Sequence, residues 1–137
     1  MMISRILLSI SIALGVAAVV TVPASARVKI DAALMKVLDP DNDGTVDLAE
    51  AKAAAADTFK KLDADNSGKL DAKKLAGRVK PKELKKADPD NDGSLDQSEY
   101  EALVEKRFIE ANRRHDGTLK KGELKSHRGQ RLVKLIH

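Results

Sequence analysis

Two twelve-residue stretches carry five carboxylates each in the same register: Asp39, Asp41, Asp43, Asp47 and Glu50, then Asp88, Asp90, Asp92, Asp96 and Glu99. Acidic side chains at alternating positions, closed by a glutamate, can converge their oxygens on one point. A hard cation such as calcium needs that arrangement, with about six to eight oxygen ligands. Five like charges within twelve residues repel one another unless a cation joins them. Gly44 and Gly93 stand at the sixth place, where a sharp turn would fold each stretch around an ion. A solvated acidic surface requires no such register, so the chemistry indicated is cation binding.

The spacing resembles the EF-hand loop, whose ligands come from positions 1, 3, 5, 7, 9 and 12, with a backbone carbonyl at 7 and a bidentate Glu at 12. On that pattern the ligands are Asp39, Asp41, Asp43, Thr45, Asp47 and Glu50 in loop 1 (39–50). In loop 3 (88–99) they are Asp88, Asp90, Asp92, Ser94, Asp96 and Glu99. Two weaker loops share the frame. Loop 2 (63–74) keeps Asp63, Asp65 and Asp71 but has Ser67 at position 5, Lys69 at 7 and Lys74 at 12. Loop 4 (112–123) has Asn112, Arg114 and Asp116 at 1, 3 and 5, Thr118 at 7 and Glu123 at 12. Asp63, Asp65, Ser67, Lys69, Asp71, Asn112, Asp116, Thr118 and Glu123 are therefore weak or vestigial ligands. Loop 4 reads as structural, while occupancy of loop 2 stays open.

The loops begin at intervals of 24, 25 and 24 residues, an internal repeat that fills the chain from residue 27 to 137. Between them the apolar spacing is helical: Ile30, Leu34, Val37 and Leu38, then Ala51, Ala55, Phe59 and Leu62. The third connector carries Leu75, Val79 and Leu84 but is interrupted by Gly77 and Pro81, which predicts two short helices. Tyr100, Leu103, Val104 and Phe108 predict a continuous helix, and Leu132, Val133, Leu135 and Ile136 a closing one. Only twelve or thirteen residues separate consecutive loops, about 18–20 Å if helical, so one helix must both leave a loop and lead into the next. The fold class is all-α.

The 137 residues include no cysteine, which excludes disulfides and thiolate metal sites. Arg5, the apolar run from Ile6 to Val22, Pro23 and the sequence Ala24-Ser25-Ala26 read as a cleaved secretory signal (1–26), placing the remaining single domain (27–137) in the periplasm. The run is broken by Ser9, Ser11 and Gly15 and is shorter than the roughly 20 residues of a span, so no stable membrane insertion is expected after cleavage. Formal net charge is +4. Basic residues gather at Arg78, Lys80, Lys82, Lys85 and Lys86, and at Lys125, Arg128, Arg131 and Lys134, read as a solvated face that offsets the loops. No aromatic platform accompanies them, so nucleic-acid binding is not expected. No nucleophile, base and orienting group come together as in an enzyme.

Pro40 and Pro89 at loop position 2, Asp at position 9, the short repeat, the leader and the Leu-Val-x-Leu-Ile ending together resemble lanmodulin, a periplasmic lanthanide-binding family. The resemblance covers residues 28–137 and implies a compact three-helix-bundle-like domain with short β-type contacts between loops paired first with fourth and second with third. It also implies that loops 1 and 3 hold two lanthanide(III) or Ca2+ ions. Lys74, Arg114 and the basic balance depart from the family, as in a diverged homologue with two degraded loops. The expected function is a monomeric lanthanide or calcium binder that folds or compacts on binding, for sequestration or delivery to a periplasmic protein partner. The alternative is a calcium-binding interaction module whose metal-ordered surface docks a protein or anionic partner.

Overall fold

The computed structural model describes residues 26–137. The expected leader lies outside the described residues except for Ala26. Ala32–Leu38 (α1) starts where the Asp31 carboxylate accepts the Leu34 N–H at 3.0 Å. Loop 1 leads through Thr45–Asp47 (β1) into Leu48–Leu62 (α2), and loop 2 follows with Lys69–Asp71 (β2). Pro81–Ala87 (α3) precedes loop 3 with Ser94–Asp96 (β3), which opens into Gln97–Ala111 (α4). Loop 4 supplies Thr118–Lys120 (β4), then Lys121–Lys125 (α5) and His127–Ile136 (α6) close the chain.

Only one of the two short helices expected in the third connector forms. Residues 72–78 run as turns, with Gly77 in the left-handed region at φ +77°. Pro81 sits at the first position of α3, and Lys80 before it is extended at ψ 149°. By contrast α2 and α4 span 15 residues each and connect their loops without interruption.

The β1 strand pairs antiparallel with β4, and β2 with β3, so loop 1 faces loop 4 and loop 2 faces loop 3. This is the pairing that the resemblance implies. Val46 meets Leu119 and Leu70 meets Leu95 across these ladders, and all four are fully buried. The eighth loop position thus anchors each loop pair to the core. That core lies among α2, α4 and α6. It is built from Ala51, Ala55, Phe59, Leu103, Val104, Phe108, Leu132, Val133, Leu135 and Ile136. Val37 departs from the expected stripe: it is 68% exposed, one residue off the face that buries Leu34 and Leu38.

Three polar contacts lock the bundle. The buried Gln130 side chain accepts the Val28 N–H at 2.7 Å and donates to the Val28 and Leu124 carbonyls, tying the start of the domain to α6. Arg107 is buried in α4 and reaches Glu83 in α3. Tyr100 packs edge-on against Phe59 at 5.6 Å and donates its hydroxyl to the Leu135 carbonyl at 2.6 Å. Burial pushes the Tyr100 hydroxyl up to about 12, so it remains a donor across the neutral range. Tyr100→Phe leaves that carbonyl unsatisfied and is expected to lower unfolding free energy by about 1–2 kcal/mol, read as a shift in urea midpoint at constant slope.

The basic clusters are only partly a solvated face. Arg78 donates to the carbonyls of Lys134 and His137 at 2.6 and 2.5 Å, and Arg131 pairs with Glu83 and Glu110 at 2.7 and 3.2 Å. These arginines serve the end of the fold, while Lys80, Lys82, Lys85 and Lys86 are exposed.

Candidate metal centres

In loops 1 and 3 the backbone bends through two left-handed positions. Asn42 and Asn91 at the fourth place have φ of 58° and 56°, and Gly44 and Gly93 at the sixth have 85°. Asn is among the few side-chain residues that tolerate this region, so the fourth place carries a turn signal that the carboxylate spacing alone does not use. The bend aims N–H groups inward at the first carboxylate. Asp39 accepts from Asp43 and Gly44 at 3.1 and 2.9 Å, and Asp88 from Asp92 and Gly93 at 3.2 and 2.8 Å. Both are nearly buried, at 5% and 4% exposure.

Carboxylate oxygens converge in each loop. Those of Asp39, Asp41 and Asp43 lie within 4.8 Å of one another, as do those of Asp88, Asp90 and Glu99. Asp43 and Asp92 each accept from the backbone and hydroxyl of the seventh residue, Thr45 or Ser94. Asp47 and Asp96 also shape the backbone, since each caps the next helix while Glu50 or Glu99 reaches back to the cap's N–H at 2.9 Å. This capping box fixes the twelfth residue at the mouth of its loop.

Crowding opposes ionisation of Asp41 and Glu50 in loop 1 and of Asp90 in loop 3. Burial raises Glu50, and the nearby carboxylates of Asp41, Asp47 and Asp39 add to that rise against the Asp47 N–H. Asp41 accepts the Asp43 N–H, which lowers it, yet contact with Asp39 and burial leave it raised. Contact with Asp88 raises Asp90 in the same way. Glu50 Oε1 is buried and has no hydrogen-bond partner among the described residues, while Oε2 is held by Asp47. An unpaired buried carboxylate oxygen is costly, and a cation coordinated through both glutamate oxygens would satisfy it.

Loops 2 and 4 carry their own cations. The Lys74 ammonium donates to Asp63 at 3.0 Å, Asp65 at 2.5 Å, Ser67 Oγ at 2.9 Å and the Lys69 carbonyl at 3.0 Å. These oxygens belong to positions 1, 3, 5 and 7, so Lys74 takes the place a metal would. Burial opposes ionisation of Asp63, but Lys74 and the Gly68 N–H hold it well below the ordinary carboxylate range. Asp71 instead caps the turn at Lys74 N. In loop 4 the Arg114 guanidinium pairs with Glu123 at 2.8 Å and Asp116 at 3.0 Å. Contact with Arg114 accordingly lowers Glu123. The Thr118 hydroxyl bonds to Asp116, and the side-chain oxygen of Asn112 is buried without a partner among the described residues. In loops 2 and 4 a side-chain cation of the loop itself thus pairs with its carboxylates.

Among known protein families, the EF hand matches residues 55–73, the second half of α2 and most of loop 2. That segment is similar to an EF hand. No curated protein matches the sequence significantly. The matched EF hand is the one whose loop ends in Lys74, and the two acidic clusters lie in the EF-hand loops on either side. Together they support metal binding. No helix of the described residues is long and apolar enough to cross a membrane.

Proposed function

We propose that the protein is an exported, periplasmic carrier of trivalent lanthanide ions, or of calcium, which it binds at loops 1 and 3 and which tighten its fold. The observation that carries this reading is the orphaned, buried Glu50 oxygen beside carboxylates whose ionisation the fold disfavours. The proposed ligands are Asp39, Asp41, Asp43, the Thr45 carbonyl and Glu50 in loop 1, with Asp47 reached through water. Asp88, Asp90, Asp92, the Ser94 carbonyl, Asp96 and Glu99 take the same parts in loop 3.

Charge favours the trivalent ion. Five carboxylates around a divalent cation retain three negative charges, and around a trivalent one only two. Pro at position 2, the short repeat and the crossed loop pairing support the lanmodulin resemblance. Titration of the purified protein with terbium and with calcium, followed by circular dichroism and thermal melting, checks the reading. Terbium is expected to bind two ions at least tenfold more tightly than calcium and to raise the melting temperature. Equal affinities would remove the lanthanide assignment and leave a calcium protein.

A second reading, a calcium-dependent docking module, has one observation behind it: the groove lined by Leu34, Val37, Ala54 and Ile136. Capture of a single partner that is lost on adding a chelator would favour it over a carrier.

A further inference from the structure

We infer that Lys69 makes the two complete loops unequal, so that filling of loop 3 lags behind that of loop 1. The inference rests on the proposal that both loops bind metal. Residue by residue the two loops differ little: Thr45 against Ser94 is the sole change of type among the ligand positions. Their partners differ more. In the β2–β3 ladder Lys69 lies opposite Asp96, which puts the seventh residue of loop 2 on the rim of loop 3. Its ammonium forms an ion pair with Asp92 Oδ2, the fifth-place carboxylate of loop 3, while Asp92 Oδ1 is held by Ser94. Asp92 is absent from the convergent set of loop 3, whereas its counterpart Asp43 belongs to that of loop 1.

The equivalent residue in the other pair is Thr118, opposite Asp47, and it is uncharged and bonded within its own loop. Lys120 stands opposite Thr45, but no ion pair among the described residues joins it to a carboxylate of loop 1. Metal entering loop 3 must therefore displace Lys69 from Asp92 and then sit beside a displaced ammonium, which repels it. Loop 1 presents no such barrier. Loop 2 thus carries two lysines that compete with metal: Lys74 closes its own cage, and Lys69 partly blocks the next.

Lys69 and Asp92 are part-exposed, at 49% and 30% of their side chains, so the penalty is modest and screened by salt. It corresponds to about a two- to fivefold weakening of loop 3. The test is a terbium titration of the purified protein read in two ways. Direct excitation counts every bound ion, while emission sensitised through Tyr100, which follows Glu99, reports loop 3. A Glu50→Gln control, which damages loop 1 alone, keeps the sensitised signal and ties it to loop 3. In the native protein sensitised emission is expected to lag behind direct emission, and the lag to shrink at high salt. Lys69→Thr and Lys69→Gln, each checked for native circular dichroism, should abolish the lag by tightening loop 3 about two- to fivefold. Lys69→Thr with Thr118→Lys should transfer the delay to loop 1. Sensitised emission that tracks direct emission from the first addition, or a loop 3 affinity unchanged in both Lys69 variants, overturns the inference while leaving two metal sites. Absence of direct emission overturns the metal reading and this inference with it.

Discussion

Replacing Lys74 with glutamate is expected to add one tightly bound terbium ion to the two proposed for the native protein. The native ammonium already contacts oxygens from positions 1, 3, 5 and 7 of loop 2, and its side chain is only 20% exposed. A metal cannot share that space, and with lysine at position 12 it would also lack its bidentate ligand. Glutamate removes the competitor and supplies the missing oxygens in one step, so loop 2 affinity should rise by more than about a hundredfold. The same variant should be less stable than the native protein in chelator, because Asp63, Asp65, Asp71 and the new carboxylate then repel without a cation. Adding metal should reverse the sign, since a ligand held at a hundredfold excess over its dissociation constant stabilises the folded state by about 2.7 kcal/mol. Lys74→Met separates the two effects: it loses stability in chelator yet gains no third ion. Asp63 ionises unusually easily in the native fold, so its stabilising contribution is present above the ordinary carboxylate range and disappears as pH falls through its lowered value. Lys74→Met should flatten that part of the acid-unfolding curve. A stoichiometry of two for Lys74→Glu would mean that the backbone of loop 2, not its lysine, excludes metal.

What the sequence discloses is whatever depends on local spacing. Carboxylates at alternate places, Gly at the sixth and an aliphatic residue at the eighth locate all four loops, because each role is set by backbone geometry within twelve residues. Val46, Leu70, Leu95 and Leu119 occupy the core as their periodicity requires. What it conceals depends on where long side chains travel. Lys74 reads as the loss of a ligand, and only the folded loop reveals that its ammonium reaches four oxygens. Lys69 reads as an exposed charge until strand register sets it against Asp92. Arg78 and Arg131 look like solvated cations because nothing nearby in sequence announces the carbonyls and carboxylates they meet some 21 to 59 residues away. The single helix in the third connector is hidden for a different reason: turns and a helix both satisfy the burial of Leu75, Val79 and Leu84, and Gly77 in the left-handed region decides between them.

The Arg107→Met variant should cost about 3–5 kcal/mol of stability, the largest loss expected from any single change in the helices. Arg107 is only 2% exposed and grips Glu83 through Nε and Nη2 at 3.1 and 2.9 Å. It also donates to the carbonyl oxygens of Arg78 and Arg131, so one guanidinium joins α3, α4, α6 and the turn before α3. Methionine fills much of the volume but leaves the Glu83 charge half-neutralised and two carbonyls unpaired. Burial disfavours ionisation of Glu83, yet Arg107, aided by Arg131, outweighs it and lowers its pKa. That lowering stabilises the fold above the usual glutamate range and is lost as pH drops through the folded value, so the variant should show a shallower dependence on acid. Arg107→Met with Glu83→Leu should recover much of the loss, because removing both partners leaves no buried charge. The consequence for metal is directional. Helix α3 ends at Ala87, one residue before Asp88, and Glu83 is its tie to α4, which begins directly after β3 of loop 3. Loosening that tie frees the first ligand of loop 3 while leaving α1, α2 and loop 1 as they are. Terbium titration of Arg107→Met should therefore show weakened sensitised emission from loop 3 with loop 1 affinity preserved, and equal weakening of both loops would show that the bundle responds to Arg107 as one unit.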